Sequence, residues 1–186
     1  MDKIVDRPYV HSFPAPAVLI GCGTLAQPNL ITCSWFGTVC SEPPMVSVSI
    51  RKSRFSHHLI ADQREFTVNL PRLEDLDAVK HCGVNSGRDH NKFQDLRLTP
   101  VPCPPLSQAP MIKEFFHVLG CRVRQVIELG SHDMFISDVV SVHYSEADRR
   151  SVRPNPHAEE QVVYLDGKYW RLFEITPQTR FDVSSL

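Results

Sequence analysis

No apolar run in this chain approaches the roughly 20 residues needed to cross a bilayer as a helix. The first residues, Met1-Asp2-Lys3-Ile4-Val5-Asp6-Arg7-Pro8, lack the apolar stretch of a signal peptide, so a soluble, cytoplasmic protein is expected, with no membrane partner. A basic excess is also missing. Twenty Lys and Arg face 21 Asp and Glu, a formal net charge of −1, which speaks against a general nucleic-acid binder. Glycine is scarce, with 8 in 186 residues, and no Gly-rich phosphate loop or dinucleotide fingerprint occurs. The six cysteines contain no Cys-x-x-Cys and no zinc spacing, so free thiols and no bound metal are expected. His57, His58, His81 and His132 have no carboxylate or Cys at a recognisable ligand spacing. Cys82 shows no base partner that would make it a nucleophile.

What is abundant is proline, 15 residues, set between short apolar runs. The length suits one domain, taken as 1–186. Val18 to Thr24 and Leu30 to Val39 read as strands separated by a turn at Gln27-Pro28-Asn29. Met45 to Arg51 alternates: Val46, Val48 and Ile50 face a core, while Ser47, Ser49 and Arg51 face the other way. The period then changes. Phe55, Leu59 and Ile60 recur at helical spacing over Ser53 to Gln63, with Ser53 or Ser56 as the expected cap. Glu65 to Leu70 is a strand and Leu73 to Val84 a short helix. Pro100 to Pro110, with five prolines, is expected to form no regular structure. Phe116 to Glu128 and Met134 to Tyr144 are long strands. Asp166-Gly167 between Val162–Leu165 and Tyr169–Leu172 marks a hairpin. Ser145 to Glu160 reads as a polar surface loop. Six or more strands, two short helices and no βαβ alternation suit a small, mainly β barrel.

Three segments carry the chemistry. In Ser47 to His57 a strand delivers Arg51 just before a helix begins. Helix N-termini attract phosphate, and Arg51, Ser53 and Ser56 add donors while Lys52 and Arg54 add field. A capped surface helix with solvated cations explains the same residues equally well. In Asn29 to Gly37, Thr32 and Ser34 share a strand face and are suited to a polar heterocycle or to cross-strand pairing. Cys82 to Phe93 is a polar turn after a helix. It either closes over an anion through Arg88 or Lys92, or is a surface loop capped by Gly83 and Gly87.

Taken together, Asn29–Gly37, Glu42–Arg51, Ser53–His57, Glu65–Pro71, Cys82–Phe93 and Gly130–Ile136 resemble the flavin reductase-like family, a group of FMN-binding split β-barrels of Greek-key type that includes flavoredoxin and NAD(P)H:FMN oxidoreductases. The resemblance runs from about Pro14 to Val142. It implies FMN at a homodimer interface, with NADH or NADPH as hydride donor to flavin N5. By match of position, Asn29, Thr32, Cys33 and Ser34 would lie along the isoalloxazine. Arg51, Lys52, Ser53, Ser56 and His57 would hold the phosphate end, and Ser86, Gly87 and Lys92 would close the site. His132 would contact the flavin or the nicotinamide, or make a structural hydrogen bond. Lys52 replaces a frequent proline and Asn91 a common aspartate. No side chain is required as a general acid or base. The flavoredoxin alternative is an FMN electron carrier that serves an acceptor protein. A pyridoxamine-phosphate-oxidase-like relative shares the barrel but suits the motif order less well.

Overall fold

A computed structural model describes residues 7–10, 13–144 and 160–172. The expected loop Ser145 to Glu160 lies outside them except for Glu160. The strands are β1 Ala15–Pro16, β2 Val18–Gly23, β3 Pro28–Cys33, β4 Phe36–Cys40, β5 Met45–Ile50, β6 Glu65–Leu70, β7 Pro100–Pro102, β8 Pro110–Ile112, β9 His117–Leu129, β10 His132–Tyr144, β11 Val162–Leu165 and β12 Lys168–Arg171. The helices are α1 Phe55–Gln63, α2 Leu76–Val84 and α3 Lys92–Asp95, with a 3-10 turn at Leu73–Asp75. No helix among the described residues is long and apolar enough to cross a membrane.

Seven strands form one antiparallel sheet in the order β3-β2-β6-β9-β10-β5-β4. Its two edges, β3 and β4, are consecutive in the chain, joined only by Ser34 and Trp35. So short a link forces the sheet to curl until its edges nearly meet. The Cys33 thiol on β3 donates to the Ser49 carbonyl of β5 at 3.8 Å across that seam. The result is a barrel with a split at Ser34–Trp35. Leu30 to Val39 is therefore two strands on opposite edges, because the chain must break to change edge.

The barrel interior holds Val18, Ile20, Val46, Val48, Ile50, Phe66, Val68 and Phe135, closed at one end by Ile60 of α1. Leu19 and Leu30 face outward but are buried under Cys82 of α2, Phe93 of α3 and Ile112. All six residues of β2 are buried, as expected for a strand covered on both faces. The β5 alternation holds: Val46, Val48 and Ile50 are buried and their neighbours are not.

Several expectations need correction. The proline-rich stretch is not structureless. β7 and β8 pair antiparallel, Val101 opposite Met111. A two-stranded ribbon needs N–H groups on one side only, so its prolines are tolerated. This stretch is tied to the barrel by the polar face of β6. Thr67 Oγ1 donates to Pro110 O at 2.7 Å, and Asn69 Oδ1 accepts from the Ile112 amide at 2.9 Å. The Glu65 carboxylate accepts from the amides of Ser107, Gln108 and Ala109. Neither Ser53 nor Ser56 caps α1. Its N-cap is Arg54, extended at φ −76°, ψ 137°, with no side-chain cap. Ser56 lies inside the first turn, buried, with its hydroxyl accepting from Asn29 Nδ2 at 2.8 Å. Nor do Gly83 and Gly87 end α2: Gly83 is within it and Asn85 is its C-cap. The Asp166-Gly167 hairpin forms as expected, with φ of 50° and 77° at the two positions.

Candidate functional site

The split in the barrel opens into a cleft with two lobes. The wider, of about 400 Å³, is lined by Thr32, Cys33, Ser34 and Trp35 from the seam, Ser49 and Arg51 from β5, Gly83 and Val84 from α2, and His132. The narrower, of about 130 Å³, is lined by Ser53, Ser56, Cys82, Ser86, Gly87, Arg88 and Lys92. Ile31, Arg54 and Gly83 belong to both lobes, so the two are continuous. The wider lobe lies within the range of about 300–1,000 Å³ typical of small-molecule sites.

The electrostatics have one sign. Arg51, Arg54, Arg88 and Lys92 line the cleft, and among the described residues no Asp or Glu does. Lys92 is the most unusual of them. Only 3% exposed, it donates from Nζ to Leu30 O at 2.6 Å and to Cys82 O at 3.2 Å. Burial pulls its ammonium below the ordinary lysine pKa, while the Cys82 and Cys22 thiols beside it act the other way. A buried ammonium held by carbonyls alone is costly unless an anion completes its shell.

The walls follow from local sequence. Gly87 is required because a Cβ there would overlap Asn29 Oδ1 and lie 2.6 Å from Phe55 Cδ1. The loop can therefore press directly against β3 and the start of α1. Arg88 closes the contact, donating to Ser53 O at 3.3 Å and lying 5.9 Å from the Phe55 ring centre. Asn91 caps α3, accepting from the Gln94 amide at 3.2 Å, which sets Lys92 at the first helical position. Burial pushes the Cys33 thiol up to about 12, so it acts as a neutral wall and not a nucleophile. The Cys82 thiol is likewise pushed up to about 11.

His132 stacks on Trp35 with ring centres 4.2 Å apart, and its Nδ1 lies 2.8 Å from Ser131 Oγ. Burial, then the charges of Arg51 and Arg54, lower its pKa, so the ring at the cleft mouth is neutral near pH 7.

Of the residues singled out in the sequence, Thr32, Cys33, Ser34 and Arg51 meet in the wide lobe. Ser53, Ser56, Ser86, Gly87 and Lys92 meet in the narrow one. Asn29 stands behind them, holding Ser56. Thr32 Oγ1 is engaged, donating to Val79 O at 2.6 Å. Lys52 and His57 are elsewhere. Lys52 Nζ pairs with Glu128 at 2.7 Å and lies 3.5 Å from Asp133, and His57 Nε2 contacts Asp133 at 2.8 Å. Trp35, Gly83 and Val84 were not among the expected site residues. Arg54, expected only to add field beside the helix start, lines both lobes. Trp35 could not have been found, because its place depends on barrel closure.

Comparison with known proteins decides the family. Residues 10–172 match the flavin reductase like domain. The chain belongs to the flavin reductase-like family. The family's split barrel is the fold seen here. An uncharacterized protein of Archaeoglobus fulgidus is 34% identical over 137 residues, covering 74% of this chain and 76% of its own. The reductase component of a 4-nitrophenol 4-monooxygenase/4-nitrocatechol 2-monooxygenase from Rhodococcus opacus is 29% identical over 140 residues, covering 75% and 71%. Among solved structures, flavoredoxin of Desulfovibrio vulgaris (Miyazaki F) superposes with a TM-score of 0.83 at 26% identity, covering 98% of this chain and 99% of its own.

Proposed function

We propose that this flavin reductase-like chain binds FMN in the two-lobed cleft and carries reducing equivalents from NADH or NADPH through it. The observation that carries this reading is the cleft's charge: four cationic side chains, one of them buried and bonded to carbonyls, around a lining that has no carboxylate among the described residues. The group fits the residues. The narrow lobe has the donors for a phosphate: Lys92, Arg54, the hydroxyls of Ser53 and Ser86, and the start of α1. The wide lobe, walled by Ile31–Ser34, Ser49, Arg51 and Gly83–Val84, has about 400 Å³ for a heterocyclic ring.

When bound, FMN supplies the hydride-accepting chemistry, which belongs to the cofactor. The protein's own part is positioning. Lys92 and Arg54 anchor one end of the ligand by charge. Gly83, without a side chain, sits directly against Thr32, whose hydroxyl is fixed to α2. Trp35 and the neutral His132 form a stacked lip at the mouth, suited to hold a nicotinamide against the cleft without adding a proton or a charge. Lys52 and His57, tied to Asp133, support the β10 end and the α1 start from outside the cleft. The purified chain, given FMN and either NADH or NADPH, should oxidise the nicotinamide. No loss of nicotinamide absorbance with either donor would defeat the reductase reading.

A second reading is an FMN electron carrier of flavoredoxin type, serving an acceptor protein. The match to flavoredoxin over nearly the full length of both chains favours it. It predicts flavin that survives dialysis and slow nicotinamide turnover. The assembly we propose is a homodimer. Val10, Phe13, Trp35 and Phe36 border a hollow of about 590 Å³ beside the cleft mouth, and the first three are exposed apolar side chains.

A further inference from the structure

Outside the cleft, three metal-ligating side chains converge from three separate elements. His81 is on α2, His90 on the connection that follows it, and Asp95 on α3. Their donor atoms all lie within 4.8 Å of one another. Asp95 Oδ2 is 3.1 Å from His81 Nε2 and 3.1 Å from His90 Nδ1. The two imidazoles meet edge to face, with ring centres 5.8 Å apart. None of the three lines either lobe of the cleft.

We propose that His81, His90 and Asp95 form a binding site for a divalent first-row transition metal ion such as Zn²⁺, Co²⁺ or Ni²⁺. Two imidazoles and one carboxylate are the donor set these ions take, with solvent completing the shell. With metal–ligand bonds of about 2.0–2.1 Å, donors in a tetrahedron sit roughly 3.3 Å apart. Both His–Asp separations are already close to that, and the His–His donor separation is no more than 4.8 Å. His90 and Asp95 are substantially exposed, so an ion can enter from solvent. Asn85 Nδ2 lies 3.0 Å from His81 Nδ1. The same Nδ2 donates to His81 O at 3.1 Å, so Asn85 braces His81 from behind, on the side away from Asp95.

The site would clip both ends of the segment 82–94 together. That segment carries Ser86, Gly87 and Lys92, and so forms one wall of the narrow lobe. A metal bound there would restrain that wall from outside, as a structural clip, and the proposal stands whether or not the cleft takes FMN.

The test uses the full chain without a polyhistidine tag, freed of metal and titrated with Co²⁺. One equivalent should bind with visible d–d bands, and amide hydrogen exchange over residues 85–92 should slow. His90→Ala and Asp95→Asn, both at exposed positions, should each weaken Co²⁺ binding at least tenfold. His58→Ala, an exposed histidine outside the cluster, should leave it unchanged. Circular dichroism of the metal-free variants verifies that they fold. Absence of a Co²⁺ spectrum in the wild type, or binding that survives both His90→Ala and Asp95→Asn, would overturn the proposal.

Discussion

Replacing Lys92 by Met separates anchoring from folding. The side chain is 3% exposed, and its ammonium donates to Leu30 O at 2.6 Å and Cys82 O at 3.2 Å. Met keeps the length and the apolar packing and removes the charge. Without ligand, two effects oppose each other: two carbonyls lose a donor, but a buried ammonium without a carboxylate partner is also gone. The apo protein should therefore change little in melting temperature. With FMN the balance differs, because a hydrogen bond from a buried charge to phosphate contributes about 1.5–3 kcal/mol. That is roughly a 10- to 150-fold rise in Kd. Riboflavin, which has no phosphate, should bind wild type and variant alike. Since burial lowers the Lys92 pKa, wild-type FMN affinity should also fall as pH rises through it, a loss the variant should not show. Fluorescence titration of apoprotein with both ligands across pH reads the affinities, and thermal melts of the apoprotein read the stability. FMN affinity in the variant within twofold of wild type would refute the assignment of Lys92 to the phosphate lobe.

Three further outcomes are expected. Gly87→Ala should destabilise the fold by about 1–3 kcal/mol, the usual range for overpacking, because its methyl displaces Asn29 from Ser56; denaturant melts measure this. Lys52→Ala should leave FMN affinity within twofold, since Lys52 is committed to Glu128 and Asp133; a tenfold loss would return it to the phosphate site. His117 is half-buried against Tyr144, and neither ring nitrogen has a hydrogen-bond partner among the described residues. Burial lowers its folded pKa, so the unfolded chain binds the proton first and stability falls as pH drops below about 6.5, the unperturbed histidine value. His117→Phe should flatten that acid slope in melts run across the range.

The parts of this protein readable from its sequence are those fixed by local periodicity. Val46, Val48 and Ile50 alternate because β5 has one face in the barrel, and Asp166-Gly167 makes its hairpin because those residues accept positive φ. The clustering of Ser53, Ser56, Ser86, Gly87 and Lys92 was legible only through the resemblance, since no local rule brings the α2–α3 loop against α1. What failed was decided by tertiary contact. Ser56 looks like a cap but is drawn inward by Asn29 across 27 positions. Lys52 looks like a phosphate ligand but faces Glu128 and Asp133, which come from a hairpin about 76 to 81 residues on. The His81–His90–Asp95 cluster was passed over because its spacing follows no motif; a helix, a connection and a second helix bring the three together.

The central claim is that the narrow lobe, and not the Lys52–His57 surface, receives the phosphate of FMN. A crystal structure of the chain with FMN tests it most directly. The account predicts the isoalloxazine in the lobe lined by Thr32, Cys33 and Ser34, with the phosphate beside Ser53, Ser86 and Lys92. Phosphate density at Lys52 and His57, or a cleft without flavin in crystals grown at saturating FMN, would contradict it.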